Sequence, residues 1–154
     1  MSSESPINID PQIIHAMEQL SPFNKLLGIK LLEADGGVAQ CRIDFREELI
    51  GNYIERILHG GVTATMIDMA GGIAVASSFG FESQKRGMGT VDLRVDYLRP
   101  GRGNYFIARG EVVRPGRMLA STRMEMHNDE GTLIAIGTGI YRVSTSSEPK
   151  PMNV

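Results

Sequence analysis

The fifteen residues "LHGGVTATMIDMAGG" (58–72) hold an acid, Asp68, inside an apolar run. An ionised side chain in such surroundings is costly unless something uses it. A carboxylate can take a proton from water, so Asp68 is a candidate general base. Nine positions earlier, His59 opens "HGG". Gly60 and Gly61 start the one long helical candidate, residues 60–79. Their N–H groups have no partner inside the helix and lie at its positive end, a place to hold an anion or a polarised carbonyl. Each feature also has a plain structural use: the acid as a cap for neighbouring backbone, the glycines as a tight turn.

A helical wheel separates the two sides of this segment. Within about 60° of Asp68 fall Gly61, Ala64, Thr65, Gly71, Gly72 and Val75, five of them Gly, Ala or Thr. Val62, Met66 and Ile73 lie roughly opposite, flanked by Ile67 and Met69, and are expected to bury against a sheet. A solvent face would carry Lys, Glu or Gln instead of glycine. Glycines weaken a helix by ~1 kcal/mol each relative to alanine, so the bare face is expected to admit a ligand or another backbone.

The elements that must position these residues follow from periodicity. "DPQIIHAMEQL" is a short helix, with Asp10 as N-cap, Pro11 at the first position, Ile13, Ile14, Met17 and Leu20 at helical spacing, and Pro22 beyond its end. "GIKLLEADGGVAQCRIDFRE" makes two strands joined at Asp35-Gly36-Gly37. "ELIGNYIERI" is a loop-like approach to the helix. After "GFESQKRGMG" the chain is all strand. "TVDLRVDYL" alternates strictly, with Val91, Leu93, Val95 and Tyr97 on one face and Thr90, Asp92, Arg94 and Asp96 on the other, as a half-buried antiparallel strand does. "YFIARGEVV", "MLASTRMEMH" and "TLIAIGTGIYRV" follow across "RPGR" and "NDEG" turns. One long apolar helix among long antiparallel strands gives an α+β domain, five to six strands wrapped around that helix. Residues 1–9 and 144–154 are expected to be disordered, leaving a single domain over 10–143.

Composition limits the possibilities. Of 154 residues, 42% are apolar and 22% charged, values ordinary for a soluble globular chain. No apolar stretch reaches membrane-spanning length and the start lacks a secretory pattern, so a cytoplasmic protein with no membrane partner is expected. The lone Cys41 cannot form an internal disulfide and suits a small buried strand position. A net charge of −2 argues against nucleic acid as a partner. The charge is uneven: residues 1–85 hold six cations and eleven acids, whereas 86–143 hold nine arginines and six acids. Arginine forks suit phosphate, so this block fits either a solvated strand face or a phosphate-bearing small ligand.

"LHGGVTATMIDMAGG", followed by "GTVDLRVDYLRPGRGNYFIARGEVVRPGR" and "GTLIAIGTGIYRV", resembles the hotdog-fold acyl-CoA thioesterases. The branch it is most similar to holds the phenylacetate-pathway thioesterase and thioesterase superfamily member 2, and the similarity covers about residues 22–143. The resemblance implies that the Gly60 N–H polarises the thioester carbonyl, that Asp68 activates or positions the hydrolytic water, and that Thr90 helps orient that water. It implies a carbonyl-assisting role for Asn52, seven positions before His59, with Glu55 or Arg56 as alternatives at the entrance. His59 resembles the family's structural or orienting histidine, not a nucleophile. No cofactor or metal is implied, and acyl-CoA is the implied substrate.

If Gly60 and Asp68 serve one reaction, a distance intervenes. Eight residues of helix separate their backbones by ~12 Å at ~1.5 Å per residue, whereas a water on the acid must lie ~3 Å from the carbon under attack. One chain cannot supply both groups, so the acid is expected from a second, antiparallel helix, with two equal sites across a two-fold interface. The resemblance agrees, implying a homodimer or a dimer of dimers. Arg99, Arg114 and Arg117, at or near turns, are candidates for the nucleotide phosphates. His59 and Gly61 flank the carbonyl site. Tyr53 and Ile54, with Leu49, Ile50 and Ile57, are expected to line an apolar acyl pocket. An acyl-CoA sensor on the same fold is the alternative function, and a hydratase of that fold is a further one.

Overall fold

The computed structural model describes residues 9–79 and 88–143. The expected disorder of residues 1–8 and 144–154, and the "GFESQKRG" connection, lie outside them. Ile9, assigned above to the disordered start, is instead buried in the core with Ile13 and Leu27.

The apolar run from Gly60 folds as one helix, α3 (Gly60–Ser78). Val62, Met66, Ile67, Ala70, Ile73 and Ala74 are its buried face, and Met66 and Ile67 are wholly inaccessible. Burial of side chains of that size stabilises by roughly 1.5–3 kcal/mol each. Around α3 wraps a six-stranded antiparallel sheet. It is formed by β1 (Lys30–Asp35), β2 (Val38–Asp44), β5 (Met88–Tyr97), β6 (Tyr105–Arg114), β7 (Leu119–Asn128) and β8 (Leu133–Val143), in the order β1-β2-β6-β7-β8-β5. This is the α+β hotdog arrangement expected from the sequence. Period-two burial along β6 and β7 turns Phe106, Ala108, Ala120, Met124 and Met126 toward the helix. Gly110 lets α3 lie on the sheet, since a Cβ there would stand 2.4 Å from the Ala70 carbonyl oxygen.

Three expectations change. The N-terminal helix α1 (Pro11–His15), capped by Asp10 through a 2.8 Å bond to the Gln12 N–H, widens to a π-helical turn over Ala16–Leu20. Pro22 then opens a second helix, α2 (Pro22–Leu27), instead of merely following the first. Proline suits a first helical position as well as it suits a stop. The "ELIGNYIERI" approach contains a small ribbon, β3 (Ile50–Asn52) against β4 (Ile57–Leu58). Strands of three and two residues are too short to show a period. The strict alternation of β5 also fails at one point. Thr90 pairs with Tyr141, yet Asp92 pairs with Ile140 and Leu93 with Gly139, so a bulge sits at Val91. Cross-strand partners share a face, so the bulge swings Thr90 to the side of Leu93 and Val95, toward the helix. As an edge strand with the bulge in it, β5 leaves Val91 57% and Tyr97 55% exposed.

Candidate active site

Asp68 sits two turns into α3, half-buried. Its Oδ1 accepts a 2.8 Å hydrogen bond from the Thr90 hydroxyl, the contact that the β5 bulge makes possible. A second donor reaches the same oxygen. The Tyr141 hydroxyl on β8 lies 3.1 Å from Oδ1 and 2.9 Å from the Asp68 carbonyl oxygen. Among the described residues nothing donates to Oδ2, so one carboxylate oxygen is held and the other is left for solvent. The small-residue face of α3 is therefore partly filled from within the chain. Gly71, on that face, meets the Tyr141 hydroxyl, and a Cβ there would stand 2.4 Å from it. Gly61, Ala64, Thr65 and Gly72 on the same face remain exposed or half-exposed.

The start of α3 is a separate feature. His59 is its N-cap at φ −61°, ψ 134°, and its Nδ1 accepts from the Gly61 N–H at 2.8 Å. Nδ1 accepts through its lone pair, so in this contact it carries no proton. Gly61 thus spends its N–H on the cap. The Gly60 N–H has no acceptor among the described residues. Tyr97 braces this end, its hydroxyl donating to the Gly60 carbonyl at 2.8 Å while its ring covers the Gly60 Cα. Beside it opens a cleft of about 380 Å³ lined by Ile57, Leu58, Gly60, Thr63, Tyr97 and Arg99. Asp68 and Thr90 do not line it. Both groups lie on one continuous helix, ~12 Å apart along its axis.

The other candidates fall into distinct places. Asn52 Oδ1 accepts from the N–H groups of Ile54 and Glu55 at 3.0 and 3.1 Å. That closes the β3–β4 turn and fixes which way the side-chain amide presents its two donors. Glu55 pairs with Arg102 at 2.8 Å, and Arg56 pairs with Glu47. Tyr53 and Ile54 stand at the turn's tip, 83% and 78% exposed, so neither is enclosed in a pocket within one chain. Leu49 is buried in the core, while Ile57 lines the cleft. Arg99 also lines the cleft and donates to the Leu133 carbonyl at 2.9 Å. Arg114 and Arg117 are elsewhere. Gly37 packs on both Val112 and Ser78, which sets the β6–β7 turn at the far end of α3, a helix of 19 residues. Within one chain the structure brings Arg99 to Gly60 and keeps the other two arginines away.

Tyr97 and Tyr141 were not singled out from sequence. Both offer a signal in retrospect: a phenol on an apolar strand face needs a partner for its hydroxyl, and Tyr141 follows two small positions in "GTGIY". Among the described residues no cluster of three or more His, Cys, Asp or Glu side chains is arranged to hold a metal ion. No helix among them is long and apolar enough to cross a membrane.

Comparison with known proteins bears on the family and the fold. The model of the thioesterase superfamily matches residues 55–135, which include α3 and most of the strands that follow it. The medium/long-chain acyl-CoA thioesterase YigI of Salmonella typhimurium is 39% identical over 132 residues, covering 79% of this chain and 85% of the relative. A crystal structure of a Shewanella oneidensis protein related to the thioesterase superfamily is 42% identical. It superposes with a TM-score of 0.76 and covers 86% of this chain and 94% of its own. The Escherichia coli PaaI protein from the phenylacetic acid degradation operon, 22% identical, has the same fold at a TM-score of 0.74, over 86% of this chain and 91% of that one. The family match and the 39% identity over most of both chains establish that this chain belongs to the thioesterase superfamily.

Proposed function

We propose that the protein hydrolyses acyl-CoA thioesters, using Asp68 of one protomer and the Gly60 N–H of another. The observation that carries this reading is a pair of prepared but separated groups. Asp68 is a carboxylate with one oxygen held by Thr90 and the other without a donor among the described residues. Gly60 is a donor without an acceptor among the described residues, at a helix N-terminus and in a cleft that the acid does not line. In the proposed reaction the Gly60 N–H and the helix dipole stabilise the charge gathering on the thioester oxygen. The partner's Asp68 Oδ2 receives or orients the proton of an attacking water. The water oxygen bonds to the carbonyl carbon, the C–S bond breaks, and the thiolate of coenzyme A leaves and takes up a proton. Antiparallel α3 helices related by a two-fold axis satisfy both distances at once. The exposed remainder of the α3 small-residue face and the open edge of β5, with Val91 and Tyr97 exposed, support such an association.

The apolar lining from Ile57 and Leu58 suits a hydrocarbon acyl chain. The substrate class in the name of the YigI relatives, medium/long-chain acyl-CoA, points the same way. Arg99 is the proposed contact for coenzyme A phosphate at the Gly60 end. Arg114 and Arg117 are proposed to reach the nucleotide only from the neighbouring protomer. The test is release of free thiol from a series of acyl- and aryl-CoA esters, with Asp68→Ala alongside. Turnover by the native chain and its loss in the variant, with the dimer intact on a sizing column, is the expected result. Unchanged turnover in Asp68→Ala would sink the assignment. Binding of acyl-CoA without any hydrolysis would turn the reading into a sensor.

A further inference from the structure

Tyr141 is 2% exposed, yet its hydroxyl ends on a catalytic candidate. It enters from the sheet side, whereas Thr90 reaches the same Oδ1 from the exposed β5 edge. Two glycines make room for the ring. A Cβ at Gly71 would stand 2.4 Å from the hydroxyl, and one at Gly139 would stand 2.8 Å from Cε2. A phenol needs only one acceptor to satisfy its single proton, and the Asp68 carbonyl at 2.9 Å already provides one. That one proton is shared with Oδ1 at 3.1 Å, a three-centre bond that ties the side chain of Asp68 to its own backbone. Burial first, then the adjacent Asp68 carboxylate, push the Tyr141 phenol above the ordinary tyrosine range, so it stays a donor wherever the enzyme works.

We propose that Tyr141 is a positioning residue for Asp68: together with Thr90 it holds Oδ1, so that Oδ2 alone faces the attacking water. This rests on the hydrolytic reading above. Tyr141→Phe keeps the ring in its glycine-lined slot and removes only the hydroxyl. Losing one hydrogen bond to a charged group corresponds to a kcat lower by roughly 10- to 100-fold. KM should stay within about twofold, because the interaction serves the chemical step and not uniform binding. Thr90→Val in the same assay should give a change of the same kind, and the double variant should cost less than the product of the two, as expected for donors to one atom.

A Tyr141→Phe enzyme with kcat within about twofold of the native value would overturn the proposal. A second measurement does not depend on that variant folding. In protein labelled at tyrosine Cζ, the Tyr141 resonance is expected not to titrate through the ordinary tyrosine range. Asp68→Asn should shift it, and an unshifted resonance would equally overturn the contact. Failure of the underlying reading is distinguishable. In that case Asp68→Ala retains activity, whatever Tyr141→Phe does.

Discussion

Exchanging Gly60 for proline isolates the one atom that the proposed mechanism asks of the start of α3. Gly60 is the first helical residue, a position proline favours because its fixed φ suits the helix and its missing N–H is an orphan there in any case. The residue before it, His59, already has φ −61° and ψ 134°, the extended geometry that a following proline requires. A Cβ at position 60 would rest 3.4 Å from the Tyr97 ring edge, a contact relieved by a few tenths of an ångström. The helix should therefore survive while the carbonyl donor is lost, lowering kcat by roughly 10²–10³. Asp68→Asn keeps an acceptor for Thr90 and Tyr141 but removes the base, lowering kcat by roughly 10²–10⁴. The decisive assay mixes the two. In a dimer of one Gly60→Pro chain and one Asp68→Asn chain, the first site combines both lesions and the second combines an intact Gly60 with an intact Asp68. Random reassociation makes half of the dimers mixed, each with one good site of two, so thiol release should recover to about a quarter of the native value. Two chains with differing affinity tags allow the mixed dimer to be purified, where the expectation rises to about half. Activity no higher than that of the parents would refute the argument from the ~12 Å separation and place the whole site in one chain.

Two further predictions test the fold and the thiol. Gly110→Ala drives a Cβ to 2.4 Å from the Ala70 carbonyl oxygen and 2.9 Å from the Gly71 nitrogen, so α3 must lift from the sheet two residues from Asp68. A loss of roughly 1–3 kcal/mol in a urea titration is expected, against little change for Gly89→Ala, where nothing lies within 4 Å of the new atom. Burial, with a smaller contribution from the Glu18 carboxylate, pushes the Cys41 thiol up to about 12. The unfolded thiol ionises near its ordinary value of about 8.5, so this contribution to stability is intact below that pH and is lost as pH rises toward 12. The denaturant midpoint should fall between about pH 7 and about pH 9.5, and fall less in Cys41→Ala. An equal fall in both would show that the thiol is not the cause. Native protein should also leave thiol reagents unreacted until denaturant is added, so Cys41 contributes no background to the thiol-release assay.

Much of the architecture was legible because it rests on long periodic segments. The helix from Gly60 and the strands from Lys30, Val38, Tyr105, Leu119 and Leu133 each repeat their apolar residues often enough for period 3.6 or 2 to appear. The misreadings lie where a single residue can be used in two ways. Pro22 after the first helix suggests a stop, although proline fits a first helical turn equally, and the π-helical widening before it lets α2 begin at once. Ile50–Asn52 and Ile57–Leu58 give no strand signal, because the ribbon they form is held by two Asn52 hydrogen bonds and by side-chain pairs, not by a run of apolar alternation.

The site shows a sharper limit. Strict alternation in "TVDLRVDYL" sets Thr90 on the face away from Leu93, while a role beside Asp68 requires the opposite, and nothing in the string of residue types decides between them. The bulge at Val91 does, because one extra residue reverses every side chain before it. Tyr141 escaped notice for a related reason. Its distance from Asp68 is 73 residues in sequence, and only the pairing of Thr90 with Tyr141 across β5 and β8 brings both hydroxyls to one carboxylate. Within the chain, then, the parts that the sequence pattern could place are those on α3, Gly60 and Asp68, and these are the two parts that a rigid helix prevents from meeting. The same continuity that makes the helix easy to read is what sends the proposed mechanism to a second protomer.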